Sequence, residues 1–199
     1  MGEMIKAIIF DIGEVLQIDP KGERYEKLSR GFGIPAKEIK NFIEAHRSEL
    51  WLGKLNNRQF CDLIKEKFGI EKDIIPAWEK VYNEIPLNKE IIKILPELKK
   101  NCKLAVISNA HEASSSVRKE KFAKIFEFMI FSCDVGFMKP QKEIFDMALE
   151  KLELKPEECV MIDDNEKNLS TPSQMGFKTI LFKSNSQLIK ELKSLGVEF

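Results

Sequence analysis

Five short apolar runs constrain this chain more than anything else in it. They are KAIIF (6–10), KLAVIS (103–108), FEFMIF (126–131), CVMID (159–163) and KTILF (178–182). Runs this short, rich in β-branched and aromatic residues and flanked by turn-like sequence, suit strands covered on both faces, as in a parallel sheet. Helical periods lie between them. In 88–100, Ile91, Ile92, Leu95 and Leu98 form one apolar stripe, which Pro96 is predicted to kink. Segment 142–152 places Ile144, Phe145, Ala148 and Leu152 at helical spacing, and 186–196 offers Ser186 as a cap and Gly196 as a stop. Alternation of this kind predicts an α/β fold, a doubly wound, Rossmann-like parallel sheet.

The alternation breaks between residues 17 and 86. YEKLSRGF, KEIKNFIEAHRSELWL, RQFCDLIKEKF and PAWEKVYNEI are helical in period, with Gly31, Gly33, Gly53 and Gly69 as punctuation and no strand signal among them. The pattern predicts a small all-helical domain at 17–86, inserted directly after the first strand of a core formed by 1–16 and 87–199. Trp51 and Trp78 are expected in its interior. Arg47, Trp51 and Lys54 also flank the Gly53 turn, which leaves open a place in a pocket wall.

Charge and composition exclude several classes. Lys+Arg and Asp+Glu both number 32, so no net charge recommends nucleic acid or an anionic membrane surface as partner. No apolar stretch approaches a membrane span. The start, MGEMIKA, has no signal-peptide apolar region, and Lys6 spoils the myristoylation pattern that begins at Gly2. Cys61, Cys102, Cys133 and Cys159 form no C-x-x-C pair and are expected to be buried, reduced thiols of a cytoplasmic protein. No His/Cys cluster has zinc-ligand spacing. His46 and His111 are expected at the surface or at helix caps.

Chemistry gathers at the carboxyl ends of the predicted strands. Asp11 follows the first, Ser108-Asn109 ends the second, Lys139 lies beyond the third, and Asp163-Asp164 closes the fourth. Ligands of open α/β sheets bind outside the strands' carboxyl ends, near the point where strand order reverses. Asp11 and Asp164 supply hard oxygen ligands suited to Mg²⁺. The Ser108 hydroxyl and the Asn109 N–H suit phosphate oxygens, and Lys139 suits the charge of a transferring phosphoryl group. Singly, either aspartate site reads as a turn or helix cap and Lys139 as a solvated lysine. Together and in this order they read as one site. Glu14, next to Gly13 in FDIGEVL, is expected to be a solvated loop residue.

The order hhhhDxx…hhSN…KP…hhDD, in which h is apolar, resembles the haloacid dehalogenase superfamily of phosphohydrolases, with the helical insertion where that family carries its C1-type cap. FDIGEVL, LWLGKLNNRQF and GFMKPQKEIF are similar to the branch of glucose-1-phosphatase-like enzymes and the phosphatase domain of soluble epoxide hydrolases. The resemblance implies a Mg²⁺-dependent phosphatase of small phosphorylated metabolites. In it Asp11 is the nucleophile, and the Gly13 carbonyl ligates the metal with Asp11 and Asp164. Asp163 lies in the metal's outer sphere, and Ser108, Asn109 and Lys139 bind the phosphoryl group. The departure is Gly13 itself, where most of these phosphatases have an acid/base aspartate. Two other readings stay open: a phosphometabolite-binding scaffold that has lost catalysis, and a carbon–halogen hydrolase, which needs no metal and so leaves the Asp163-Asp164 pair unused.

Overall fold

The computed structural model describes residues 4–199; Gly2, weighed above against an acylation pattern, lies outside them. Five parallel strands form one sheet: β1 (Ala7–Phe10), β2 (Lys103–Ser108), β3 (Phe128–Phe131), β4 (Cys159–Asp163) and β5 (Lys178–Leu181). Their spatial order is β3-β2-β1-β4-β5. The chain winds outward from β1 to β3, then returns to place β4 on the other side of β1, so strand order reverses between β1 and β4. Register sets Phe10 beside both Val106 and Ile162, which leaves Asp11 and Asp163 level at that switch point.

Alternate residues of each strand face opposite sides of the sheet. On one face Ile8, Phe10, Leu104, Val106, Val160 and Ile162 pack with Ile91, Leu95 and Leu98 of α6 (Lys89–Asn101) and with Leu188 and Leu192 of α11 (Asn185–Ser194). On the other, Ala7, Ile9, Ala105, Ile107 and Met161 meet Ile144, Phe145, Ala148 and Leu152 of α9 (Lys142–Leu152). Full burial of such side chains stabilises the fold by about 1.5–3 kcal/mol each. The expected doubly wound sheet is thus the fold. The edge strands β3 and β5 are less covered than the central three.

Between β1 and β2 run α1 (Glu23–Phe32), α2 (Ala36–Ala45), α3 (Arg47–Trp51), α4 (Asn57–Phe68) and α5 (Ile75–Asn83). Their apolar stripes share a separate cluster around Leu28, Phe32, Ile39, Phe60, Ile64 and Trp78. The single period read over 37–52 is two helices, α2 and α3, parted at His46, whose backbone leaves helical geometry. Pro96 lies inside α6, which runs through it without a break. The cap of α11 is Ser184 rather than Ser186: its hydroxyl accepts from the Gln187 N–H in a reciprocal box. Two further helices matter below, α7 (Glu112–Phe122) after β2 and α10 (Glu166–Met175) after β4. A short α8 (Ser132–Val135) follows β3. Among the described residues no helix is long and apolar enough to cross a membrane.

One contact of the helical insert with the core is backbone against backbone. Gly53, in the turn after α3, has φ +68°, and a Cβ there would stand 2.3 Å from the carbonyl oxygen of Cys133 in α8. Both the backbone conformation and the approach demand glycine. The four cysteines are free. Cys61, Cys102 and Cys159 are buried, whereas Cys133, expected inside, is only half-buried at this junction.

Candidate active site

Asp11, Asp163 and Asp164 lie together at the switch point, with one carboxylate oxygen from each within 4.8 Å of the others. The Asp11 N–H donates to the Ile162 carbonyl at 2.8 Å, which continues the β1–β4 ladder one residue past the strand and fixes Asp11 against β4. Three carboxylates at such separations repel one another, and burial sharpens the repulsion. Burial, then Asp11 and Asp163, push the Asp164 carboxyl up to about 6.

Lys139 relieves part of this strain. Its Nζ lies 2.8 Å from Asp11 Oδ1 and 2.5 Å from Asp163 Oδ2, and its side chain is almost wholly enclosed. Burial alone would lower the lysine pKa, but Asp11 and then Asp163 outweigh it and hold the ammonium charged. Asp163 is fully buried, and both its oxygens are committed. Oδ1 accepts from the Asn165 N–H at 2.9 Å and from Asn168 Nδ2 at 3.0 Å, and Oδ2 accepts from Lys139. Burial nonetheless raises the Asp163 pKa. Asp11 differs: its Oδ1 is buried and, beyond the ion pair, makes no aligned hydrogen bond.

Asn109 sets the position of Lys139. Its Nδ2 donates to the Lys139 carbonyl at 3.0 Å, and its Oδ1 accepts from the Lys139 N–H at 2.8 Å. The carboxamide thus pairs with a peptide group as a neighbouring strand would. The sequence reading gave Asn109 a phosphate-binding N–H and missed this clasp. Ser108 is buried at the end of β2.

These residues line a cavity of about 330 Å³, closed on its far side by the insert. Asp11, Gly13, Ser108, Asn109, Lys139 and Asp164 all face it; Asp163 lies behind them. Arg47 and Trp51 line it too, the guanidinium stacked 5.2 Å from the indole ring, while Lys54 does not. Trp78 is the tryptophan of the insert's core.

Two expectations need correction. Glu14 is not a solvated loop residue: it is half-buried, faces the cavity, and carries φ +54°, a conformation rare outside glycine. Its Oε1 accepts from the Asp19 N–H at 3.3 Å, and burial raises its pKa. His111 is not at the surface but buried against the rings of Tyr82 and Trp78, at 4.4 and 5.0 Å, and it faces the same cavity. Burial, then Arg118 and Arg24, hold its pKa down to about 3, so the imidazole is neutral. His46 is partly exposed and ends α2, as expected, with its ring on Phe42.

Two arginines escaped the sequence reading altogether. Arg24 pairs with Asp19 at 2.8 Å. Arg118, on α7, donates from Nε to Gln17 Oε1 at 2.9 Å. Nothing in EASSSVRKEKF sets Arg118 apart from an ordinary solvated cation.

A sequence model of the haloacid dehalogenase-like hydrolases matches residues 5–176. Bifunctional epoxide hydrolase 2 of Mus musculus is 22% identical over 98% of this chain, which spans 40% of that protein, less than half its length. Glyceraldehyde 3-phosphate phosphatase of Methanothermobacter thermautotrophicus is 28% identical, over 91% of this chain and 87% of its own. Among solved structures, a HAD family enzyme from Bacteroides thetaiotaomicron in complex with magnesium and inorganic phosphate superposes with a TM-score of 0.77 at 21% identity. That match covers 91% of this chain and 96% of the other. The chain belongs to the haloacid dehalogenase-like hydrolases.

Proposed function

We propose that this hydrolase is a Mg²⁺-dependent phosphatase of small, sugar-phosphate-like metabolites, working through an aspartyl-phosphate on Asp11. The observation that carries the reading is the buried Asp11 carboxylate at the switch point, its Oδ1 without an aligned hydrogen bond, facing the cavity beside Lys139. The glyceraldehyde 3-phosphate phosphatase relative and the magnesium- and phosphate-bound neighbour support it.

The donor set fits a hard divalent cation. Its oxygens converge, Asp11 Oδ1 lacks an aligned donor, and Asp164 is pushed up by burial and then by its anionic neighbours. Asp11, Asp164 and the Gly13 carbonyl would hold it; Asp163, with both oxygens committed to the protein, would act from behind them. Bound there, Mg²⁺ would offset the carboxylates and polarise a phosphoryl oxygen.

The chain's own residues carry the steps. The Asp11 carboxylate attacks phosphorus, and the bond to the leaving oxygen breaks on the opposite side, toward the insert. Lys139, held charged, and the Ser108 hydroxyl and Asn109 N–H receive the phosphoryl oxygens. Water then cleaves the acyl phosphate and restores Asp11. The insert, residues 17–86, acts as a cap that reads the leaving group and excludes water. The partner is a small phosphorylated metabolite, not nucleic acid or membrane, and the four free thiols suit the cytoplasm.

Gly13 favours a second reading, a binding protein of the same fold with little turnover. Hydrolysis of p-nitrophenyl phosphate in Mg²⁺ and in EDTA separates the two, with Asp11→Asn as control. Metal-dependent turnover that Asp11→Asn abolishes is expected. Activity above a tenth of wild type in a contaminant-free Asp11→Asn preparation refutes the mechanism, and phosphate binding without turnover favours the second reading.

A further inference from the structure

His111 gives the cavity a polar group that the steps above leave idle. It is 6% exposed and lines the cavity, and neither ring nitrogen has a hydrogen-bond partner among the described residues. Nδ1 is fully enclosed, which leaves Nε2 as the nitrogen open to the cavity. A buried polar group without a partner is costly to keep. Helix capping does not account for it. Position 111 is the N-cap of α7, where serine, aspartate or asparagine would bond the first N–H groups of the helix, yet the His111 side chain makes no cap bond. Its carbonyl accepts from the Ser115 N–H and the Ser114 hydroxyl, both at 2.9 Å, so the residue is held in place without using its ring.

The ring stands at the seam of core and insert. Just past it, Asn57 at the start of α4 clasps the first turn of α7: its Oδ1 accepts from the Ala113 N–H at 3.0 Å, and its N–H donates to Glu112 Oε2 at 2.7 Å. The ring itself meets Trp78 and Tyr82 of α5. Burial, then Arg118 and Arg24, keep the imidazole neutral, and no carboxylate of the switch point is among the charges that act on it. The cavity wall contributed by the insert is rich in carbon, with Ile43, Leu50, Ile85 and the Tyr82 ring, whose hydroxyl also has no hydrogen-bond partner among the described residues. A phosphoryl dianion calls for cations and fixed donors, which Lys139, Ser108 and Asn109 supply. A neutral imidazole offers one donor and one acceptor, the complement of a hydroxyl. We propose that His111 is a specificity residue: its imidazole hydrogen-bonds a hydroxyl on the carbon skeleton of the phosphate ester, so that polyol and sugar phosphates are preferred to alkyl phosphates. A site built to bond a hydroxyl rejects the analogue that lacks it, because its own buried polar group is then left unpaired.

The assignment rests on the phosphatase reading, and two measurements tell their failures apart. The first compares kcat/KM for glycerol 3-phosphate and ribitol 5-phosphate with that for propyl and pentyl phosphate. The wild type should favour the polyol ester of each pair by on the order of 10–10²-fold. His111→Phe, which keeps a ring against Tyr82, should erase that preference by losing the polyol esters, mainly through KM, with a far smaller effect on the alkyl esters. His111→Gln, which retains a donor and an acceptor, should keep part of it. The second measurement leaves His111 in place. The chain has two histidines, so ¹⁵N-histidine spectra of Asp11→Asn in Mg²⁺, assigned with His46→Gln, resolve the His111 ring. Its nitrogen signals should shift with ribitol 5-phosphate and stay put with pentyl phosphate or inorganic phosphate. A wild type that hydrolyses both ester classes alike, equal losses on both in His111→Phe, or a His111 signal indifferent to ribitol 5-phosphate overturns the assignment. A ribitol-specific His111 shift in a protein whose wild type hydrolyses no ester overturns the phosphatase reading and leaves the hydroxyl recognition standing.

Discussion

Restoring a carboxylate at position 13 is the most informative single change. The Gly13 backbone needs no left-handed conformation, and a Cβ there would meet Asp11 Oδ2 at 3.6 Å, an ordinary contact. Gly13→Asp is therefore sterically admitted. Its new carboxyl enters a field set by Asp11, Asp164 and Glu14. A charge about 5 Å from one of these costs roughly 3 kcal/mol at an effective dielectric near 20, which favours the protonated form. That is the state a general acid requires. Such help is typically worth about 10²–10⁴-fold, and it falls on poor leaving groups. Turnover of glycerol 3-phosphate should rise by at least the lower figure, while p-nitrophenyl phosphate changes little and the metal-free protein loses stability. Glu14→Gln provides the comparison, with a small loss equal for both ester classes. Equal change on both esters in Gly13→Asp would show that proton supply does not limit this enzyme. A loss in Glu14→Gln confined to the alkyl ester would make Glu14 the acid.

Two further outcomes follow from the same carboxylate cluster. Lys139→Ala leaves Asp163 buried without its counter-charge, a change worth about 3–5 kcal/mol, so it should lower Tm and damage both kcat and KM; an unchanged kcat/KM would remove Lys139 from the site. In the metal-free protein Asp164, pushed up to about 6, binds its proton more tightly than an unfolded aspartate near 3.9. Stability should therefore fall as pH rises between those values. Asp164→Asn should raise Tm above pH 6 but not near pH 4, and added Mg²⁺ should stabilise the wild type more than the variant. A Tm difference independent of pH would refute the shift.

The parts of the molecule that hide in the sequence are those that build the cavity wall. The strands at 103–108 and 159–163 and the helix at 142–152 coincide with observed elements because each turns apolar residues toward a core. Helix α7 does not. Besides Ala113 and Phe122 it buries Ser114, Ser115 and Arg118, so apolar periodicity is silent there. Helix α10, with Leu169 and Pro172 as its buried residues, is equally quiet. The four strand-end pieces were legible because strand alternation and short motifs place them without knowledge of packing. Arg118, His111 and Glu14 were not. Their burial depends on the insert folding over the core, which no local pattern records.

The meeting of Gly53 with the Cys133 carbonyl bears on how the cavity fills and empties. The Gly53 N–H donates to the Leu50 carbonyl within its own turn, and residue 53 has no side chain to interlock with the core. It works as a doorstop, with the latch elsewhere. Hard backbone surfaces set how far the insert can approach, to a tolerance that flexible side chains would blur. This backbone pair itself holds no apolar side chain; the apolar hold of the insert on the core lies at α5 and α7, where Trp78 and Tyr82 pack on His111 and Ala113 joins the insert's cluster. Gly53 therefore sets the geometry of the shut state, while its lifetime, and with it the pace of product release, rests on the packing of α5 against His111 and α7.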